Sequence, residues 1–475
     1  MSEVNLSKAV RSNLLSLQST AAQMAKTQER LATGLKVNTA LDNPTNFFTA
    51  ASLNSRASDM ANLLDSMSNG IKTIEAADNG LTSITKTVES MQSALRQARQ
   101  DKSFKTQSYG VSDTVTTGNI SFSGGAVGST AVDIDLTKTE KLTAAAVTPI
   151  LLADNGKQFT LSDGTNTTGD ITLNTDDTVD DIVEKINTAT SAAGSDIVAK
   201  NDNGYIKLTS ISSATITVAN GTLTGGVAVL GFGADATVSK TADELVKVIG
   251  ANTSLTDKIR ASNDNGKLRI ENLSTTELVV DGVSAAGITD GASSGASEIG
   301  GNTVRRNLVT QFNELRDQLD KFSDDASFNG INLLRGDKLK LTFNETGTST
   351  IDIQAKNEDG DPISVNNTEL DIDHVVNADF DADSSIDARL EVLSTAMLKL
   401  RSLASSFGSN LSIVQNRTDF TKNMINTLET GASNLTLADT NEEAANLLAL
   451  QTRQQLSSTA LSMASQSDQA VLRLF

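Results

Sequence analysis

The sequence predicts an α+β multidomain protein: a long antiparallel coiled-coil helical rod built from both ends of the chain, with an inserted β-rich α+β outer region. Three observations predict it. A seam of apolar residues spaced by three and four runs from Ile386 to Leu428. The same spacing returns in residues 4–100, at the opposite end of the sequence. Between them lies a stretch with strand patterning and two related α+β modules.

The seam reads Ile386, Leu390, Leu393, Met397, Leu400, Ala404, Phe407, Leu411, Val414, Thr418, Thr421, Ile425, Leu428. Only the two threonines break it over about six heptads. A period of 3.5 sustained that long implies a left-handed coil. At 1.5 Å rise per residue the helix would be a rod of roughly 60 Å. Such a seam needs a partner, and the N-terminal helices supply one.

From Val4 to about Leu35 apolar residues fall at Val10, Leu14, Leu17, Ala21, Met24, Leu31 and Leu35, the pattern of an amphipathic helix. Gly34 interrupts it. Asn43 followed by Pro44 reads as a fresh helix start, with a capping residue and proline at the first helical position. The second helix runs to about Gln100 on Leu53, Ala57, Met60, Leu64, Met67, Ile71 and Ile74. It slips phase near Asp78-Asn79-Gly80, then resumes from Leu81 to Ala98.

After Phe104 the composition shifts to Thr, Val, Gly and Asp, and Val132–Leu136 alternates apolar with polar. An internal repeat follows. Thr178–Asn187 and Thr241–Gly250 each open a helix with a box-like cap, Thr178 with Asp181 and Thr241 with Glu244. Each is followed by a hairpin turning on Asn-Gly, at Asn203-Gly204 and Asn265-Gly266. The related modules lie near residues 170–212 and 235–280.

A Gly/Ser-rich linker at 291–301 ends the insert. Helix returns at Val304, Leu308, Phe312, Leu315 and Leu319, followed by two strands, Lys338–Phe343 and Thr350–Gln354. After Gly431 a last helix is expected from about Glu442, with the seam Leu456, Ala460, Met463, Ser467, Ala470, Leu474. Three domains follow from this plan: 1–42 with 432–475 as a terminal coiled coil, 43–104 with 303–431 as a helical rod with a hairpin, and 105–302 as the inserted outer region.

The net charge of −19 disfavours nucleic acid and anionic membranes, which need a basic face. No apolar run is long enough to span a membrane, and Met1–Leu35 lacks the apolar core of a cleaved signal. There is no cysteine, so disulfides and thiolate metal sites are excluded. The single histidine, His374, has no nucleophilic partner in sequence. Asp371, Asp373, Asp379, Asp381 and Asp383 lack the glycine and closing Glu of a calcium loop, and read as a solvated connector before a helix N-terminus. No catalytic set, metal or cofactor is expected.

Four segments carry a resemblance: Gln28-Glu-Arg-Leu-Ala-Thr-Gly-Leu-Lys-Val-Asn-Thr-Ala-Leu-Asp42, Ala76-Ala-Asp-Asn-Gly-Leu81, Ser327-Phe-Asn-Gly-Ile-Asn-Leu333 and Val471-Leu-Arg-Leu-Phe475. With this layout, residues 1–104 and 303–475 resemble bacterial flagellin, and Asn43–Phe48 is similar to its α-proteobacterial form. The resemblance implies a self-assembling filament subunit for motility, exported unfolded through the flagellar secretion channel to the cell exterior. Implied partners are further copies of the chain, an export chaperone on the C-terminal helix, the filament cap and the hook–filament junction proteins. The expected inter-subunit coiled-coil contacts are Val10, Leu14, Leu17, Met24, Leu31, Leu456, Ala460, Met463, Ala470 and Leu474. Ser90 and Ala94 stand where enteric-type flagellins carry an Arg and a Leu central to innate-receptor detection, which implies weak receptor activation.

Two alternatives stay open at this point. A hook–filament junction protein has similar termini; the length of the insert and the Phe-Asn-Gly motif favour flagellin. A secreted glycan-binding adhesin displaying the insert would use its helices only as an anchor.

Overall fold

The computed structural model describes residues 8–147, 152–223, 225–292, 295–357 and 359–472. Helix α1 (Lys8–Thr33) stops at Gly34, whose φ of +69° is left-handed. Helix α2 (Pro44–Gln100) opens as its sequence dictates. Asn43 Oδ1 accepts the Asn46 N–H at 3.1 Å, and Pro44 takes a position that needs no N–H. Strands β1 (Lys105–Val111), β2 (Asn119–Gly124), β3 (Gly128–Asp135) and β4 (Thr137–Thr143) follow. Next come β5 (Gln158–Ser162), β6 (Ile171–Thr172), helix α3 (Val179–Ala193), β7 (Ile197–Asp202), β8 (Tyr205–Ser210) and β9 (Thr217–Asn220). A short helix α4 (Gly226–Leu230) and β10 (Phe232–Ser239) lead to α5 (Ala242–Ala251), β11 (Ile259–Asp264) and β12 (Lys267–Asn272). The insert closes with β13 (Leu278–Asp281), β14 (Ile288–Thr289) and β15 (Ser297–Ile299). Helix resumes in α6 (Thr303–Asp325), then hairpin β16 (Leu339–Thr342) and β17 (Thr350–Ile353), then α7 (Asp383–Thr436) and α8 (Thr440–Leu472).

These elements form two compact units. The first is Met1–Ile84, Lys321–Asn366 and Lys399–Phe475; the second is Thr85–Asp320 and Asn367–Leu398.

In the first unit α1 packs along α8, and α2 packs antiparallel on α7. Leu53 lies against Gly431, and Met67 Sδ accepts from Thr418 Oγ1 at 3.7 Å. Between them Ala57, Met60 and Leu428 form a buried cluster with Met424 and Ile425. Gly70 lets the hairpin approach: a Cβ there would lie 2.5 Å from Leu341 Cδ2. Helix α7 does not end at Gly431, where the sequence suggested a break. Gly431 has ordinary helical φ, and a Cβ there would only touch Leu53 at 3.7 Å. The helix runs on to Thr436, where the loop after α1 takes up its end. Lys36 N–H donates to Thr436 O at 2.7 Å, and Ala438 N–H donates to Gly34 O at 2.9 Å.

In the second unit the insert is a nested duplication. Strand β4, hairpin β5–β6, helix α3, hairpin β7–β8 and strand β9 form one module. Strand β1, hairpin β2–β3, helix α5, hairpin β11–β12 and strand β13 form another with the same order and pairing. In each, the late hairpin adds the opening strand (β8 with β4, β12 with β1), antiparallel. The closing strand returns to the early hairpin (β9 with β5, β13 with β2), again antiparallel. The first module interrupts the second between β3 and α5. Each has its own core, one around Phe159, Ile186 and Leu208, the other around Tyr109, Phe122 and Leu268. Both helices carry complete capping boxes, Thr178 with Asp181 and Thr241 with Glu244. Both hairpin turns place Asn and Gly at positive φ: +54° and +92° at Asn203-Gly204, +50° and +84° at Asn265-Gly266.

Candidate subunit interface

The paired terminal helices α1 and α8 present one face to each other and another to solvent. On α1 the positions turned inward are Val10, Asn13, Leu17, Thr20, Met24 and Thr27, spaced by three and four. On α8 they are Glu443, Leu447, Leu450, Gln454, Ser457 and Leu461, with the same spacing. Half of each line is polar, so the pair buries little apolar surface. Thr20 Oγ1 turns back to Ser16 O at 2.9 Å. Arg30, near the end of α1, donates from Nη1 to the buried Glu443 carboxylate in the first turn of α8 at 3.0 Å. The two helices therefore run antiparallel. Asp42 secures the loop beyond α1: its carboxylate accepts from Lys26 Nζ at 2.8 Å and from the N–H groups of Thr39 and Asn38 at 3.1 Å each. The Lys26 ammonium and these backbone donors hold that carboxyl well below the usual range.

Further large apolar residues on the same helices face solvent. They are Leu14, Leu15 and Leu31 on α1, and Leu448, Leu456 and Met463 on α8. Leu456 is 66% exposed and Met463 60% exposed. The sequence-derived seam is thus split by the structure. Val10 is buried, while Leu17, Met24 and Ala460 are half-buried. Leu14, Leu31, Leu456, Met463 and Ala470 are exposed. Leu474 lies outside the described residues. Sequence reasoning missed Leu447, Leu450 and Leu461, which face α1, and the exposed Leu15 and Leu448. The signal was the Leu447-Leu448 doublet, which starts two apolar lines one residue out of phase.

Of the two positions aligned with a receptor patch, Ser90 is exposed and its Oγ donates to Lys86 O at 2.9 Å. Ala94, one turn on, is buried, at 1% exposure.

The acidic connector is occupied by protein partners. Arg305 is fully buried and donates to Phe380 O at 2.9 Å, Asp381 O at 2.8 Å and Asp383 Oδ1 at 2.7 Å. Its guanidinium lies 5.0 Å from the Phe104 ring centroid. Asp381 accepts from Thr275 N–H at 2.6 Å, and Asp383 also accepts from Lys102 Nζ at 2.8 Å. Burial disfavours the Asp383 charge, but Lys102 and Arg305 outweigh it and lower its pKa. This cluster ties both chain crossings into the insert, at Asp101–Phe104 and Asn302–Arg305, to the start of α7. His374 is exposed. Among the described residues no group of three or more His, Cys, Asp or Glu is placed to hold a metal. No helix among them is long and apolar enough to cross a membrane.

Long helices from both ends, a weakly apolar terminal pair and a β-rich insert define an α+β chain with helical ends. Comparison with known proteins specifies the class. Residues 4–116 match the bacterial flagellin N-terminal helical region, and residues 390–475 match the flagellin C-terminal helical region. The two ends of this chain are thus similar to the helical regions of bacterial flagellins. The chain is 34% identical over 184 residues to flagellin FljN of Caulobacter vibrioides, covering 38% of this chain and 63% of that protein. It is 30% identical over 184 residues to flagellin FljK of the same organism, with the same coverage. A flagellin of Brucella melitensis is 29% identical over 186 residues, 38% of this chain and 65% of its own length. The chain therefore spans a little under two thirds of the length of these three relatives.

Proposed function

We propose that this chain is a structural subunit that polymerises into the bacterial flagellar filament and has no catalytic role. One observation carries the reading. The terminal helices satisfy one face against each other and leave the large apolar side chains of Leu14, Leu15, Leu31, Leu448, Leu456 and Met463 open to solvent. Helices with unfilled apolar faces gain stability by finding partners. Repeated head-to-tail contact between unlike faces gives an open helical polymer. The inter-subunit contacts are proposed at the residues of the sequence-derived seams, Val10, Leu14, Leu17, Met24, Leu31, Leu456, Ala460, Met463, Ala470 and Leu474.

In this reading residues 1–42 and 432–475 form the inner coiled-coil layer. Residues 43–104 and 303–431 form the surrounding shell, and residues 105–302 are displayed outward. The subunit works outside the cell, after export through the flagellar channel. Its partners are further copies of itself, an export chaperone, the filament cap and the hook–filament junction proteins. With Ser90 and Ala94 at the receptor positions, activation of the innate flagellin receptor is weak.

The test is electron microscopy and pelleting of full-length protein beside a version lacking residues 1–35 and 442–475, after brief heating and addition of a precipitating salt. Long filaments from the full-length protein alone support the reading. A full-length protein that stays monomeric under all conditions removes it.

A further inference from the structure

The sequence contains seven Asn-Gly steps, and the structure treats one of them differently. The chemistry at issue is spontaneous. The nitrogen of the residue after an asparagine attacks the side-chain Cγ, a five-membered succinimide closes, and the Cγ–Nδ2 bond breaks. Ammonia leaves with the proton shed by the attacking nitrogen. Water then opens the ring at either carbonyl, giving aspartate or isoaspartate. Glycine in second place offers the least steric hindrance. Attack requires a glycine N–H that is not held elsewhere and a backbone that can leave its native conformation.

Six steps fail those requirements. Asn69 and Asn79 lie inside α2, where the following glycine is locked in the helix. Gly156 N–H donates to Leu173 O at 2.8 Å, and Gly221 N–H donates to Gln158 O at 3.0 Å. In the two module hairpins a carboxamide two residues before the reactive asparagine takes the glycine proton. Gly204 N–H donates to Asn201 Oδ1 at 2.9 Å, and Gly266 N–H donates to Asn263 Oδ1 at 2.7 Å. Each guarding side chain is itself anchored to the first turn of the preceding helix. Asn201 Nδ2 donates to Asp180 at 2.8 Å, and Asn263 Nδ2 donates to Asp243 at 2.7 Å. Each turn is also closed by a full antiparallel ladder.

Asn329-Gly330 lacks both protections, the held glycine N–H and the closed ladder. Both residues are exposed. The Gly330 N–H has no acceptor among the described residues. The turn, at φ +51° and +79°, is closed only by the isolated bridge between Phe328 and Ile331. Opening it breaks one pair of hydrogen bonds, both 3.0 Å long, against a whole ladder elsewhere.

We infer that Asn329 is the site at which this protein spontaneously deamidates and isomerises, and that the Asn201 and Asn263 carboxamides protect the two module hairpins from the same reaction. Conversion adds a negative charge at an exposed turn. In the isoaspartate product it also inserts a side-chain carbon into the backbone and removes the Phe328–Ile331 register. The protein thereby carries an age mark in its helical unit and none in the displayed modules.

The full-length protein is incubated in mildly alkaline buffer at physiological temperature. Isoaspartate is labelled by an isoaspartyl methyltransferase and located by peptide mass spectrometry. Residue 329 is expected to react several-fold faster than residues 203 and 265, and denaturation in urea should abolish that difference. Asn263→Ala should raise the rate at residue 265 several-fold with no change at 329, and Asn201→Ala should do the same at residue 203. Native protein in which residue 203 or 265 reacts as fast as 329 overturns the assignment. Unaltered rates at 203 and 265 in folded alanine variants, judged by circular dichroism, overturn the protective role.

Discussion

Thr137 and Ser239 face each other as antiparallel partners on β4 and β10, although they bracket the whole inner module. Immediately outside them Lys240 N–H donates to Leu136 O at 2.8 Å. The inner module therefore enters and leaves the outer one at a single point. Deleting residues 137–239 and joining Leu136 to Lys240 through a short Gly-Ser turn should leave the outer core around Tyr109, Phe122 and Leu268 intact. Circular dichroism and urea unfolding should show a folded chain, and pelleting should show unimpaired polymerisation. An unfolded insert would mean that the outer module needs the inner one to fold.

How much of this was legible in sequence depends on how local the determinant was. The boxes at Thr178 and Thr241 and the turns at Asn203 and Asn265 each lie within a few residues, so their chemistry reads directly. The pairing of β1 with β12, and with it the nesting, joins Lys105 to Asn272 and leaves no local trace. Arg305 leaves no signal in sequence, because a single buried arginine has no period. On α8 the expected seam from Leu456 and the face that meets α1 lie on different sides of the helix, and sequence alone does not say which side pairs within the chain. Gly431 bounds the expected rod domain, but the helix does not break there. Helix α7 ignores it because packing on Leu53 and the hydrogen bonds at Thr436 decide the end.

Two glycines in long helices should respond oppositely to the same substitution. At Gly80 a Cβ would lie 2.6 Å from Ala326 Cβ and 2.8 Å from Leu334 Cδ1. Overpacking there costs about 1–3 kcal/mol, more than the gain of up to about 1 kcal/mol in helix propensity. At Gly408 nothing lies within 4 Å. Gly408→Ala should stabilise by about 0.5–1 kcal/mol, and Gly80→Ala should destabilise. Urea unfolding followed by circular dichroism checks both signs.

Asp163 should make the inner module acid-sensitive. Burial disfavours its charge, but N–H groups of Asn166 at 2.6 Å, Thr165 at 2.9 Å and Asp196 at 3.2 Å outweigh it and bring its pKa to about 2. The folded pKa lies below the unfolded one. The stabilisation, about 2 kcal/mol, is therefore complete above the unfolded pKa and lost as pH falls through about 2. Asp163→Asn should lower stability at neutral pH and flatten its dependence below the unfolded pKa. Acid titration monitored by circular dichroism measures this; an unchanged slope would remove Asp163 from the account.

The two apolar lines on α8 should separate folding from assembly. Leu456 and Met463 are exposed, so Leu456→Asp with Met463→Asp removes few contacts within the chain. Surface changes of that kind usually alter stability by less than about 0.5 kcal/mol. Leu450, half-buried on the line that meets α1, should behave differently. Leu450→Asp places a charge against α1 and should loosen the terminal pair itself. The double variant is expected to keep the helix content of the unmodified monomer and to lose salt-induced pelleting, while Leu450→Asp loses both helix content and pelleting. Polymerisation of the double variant at the unmodified rate would show that the free face of α8 is not where subunits meet.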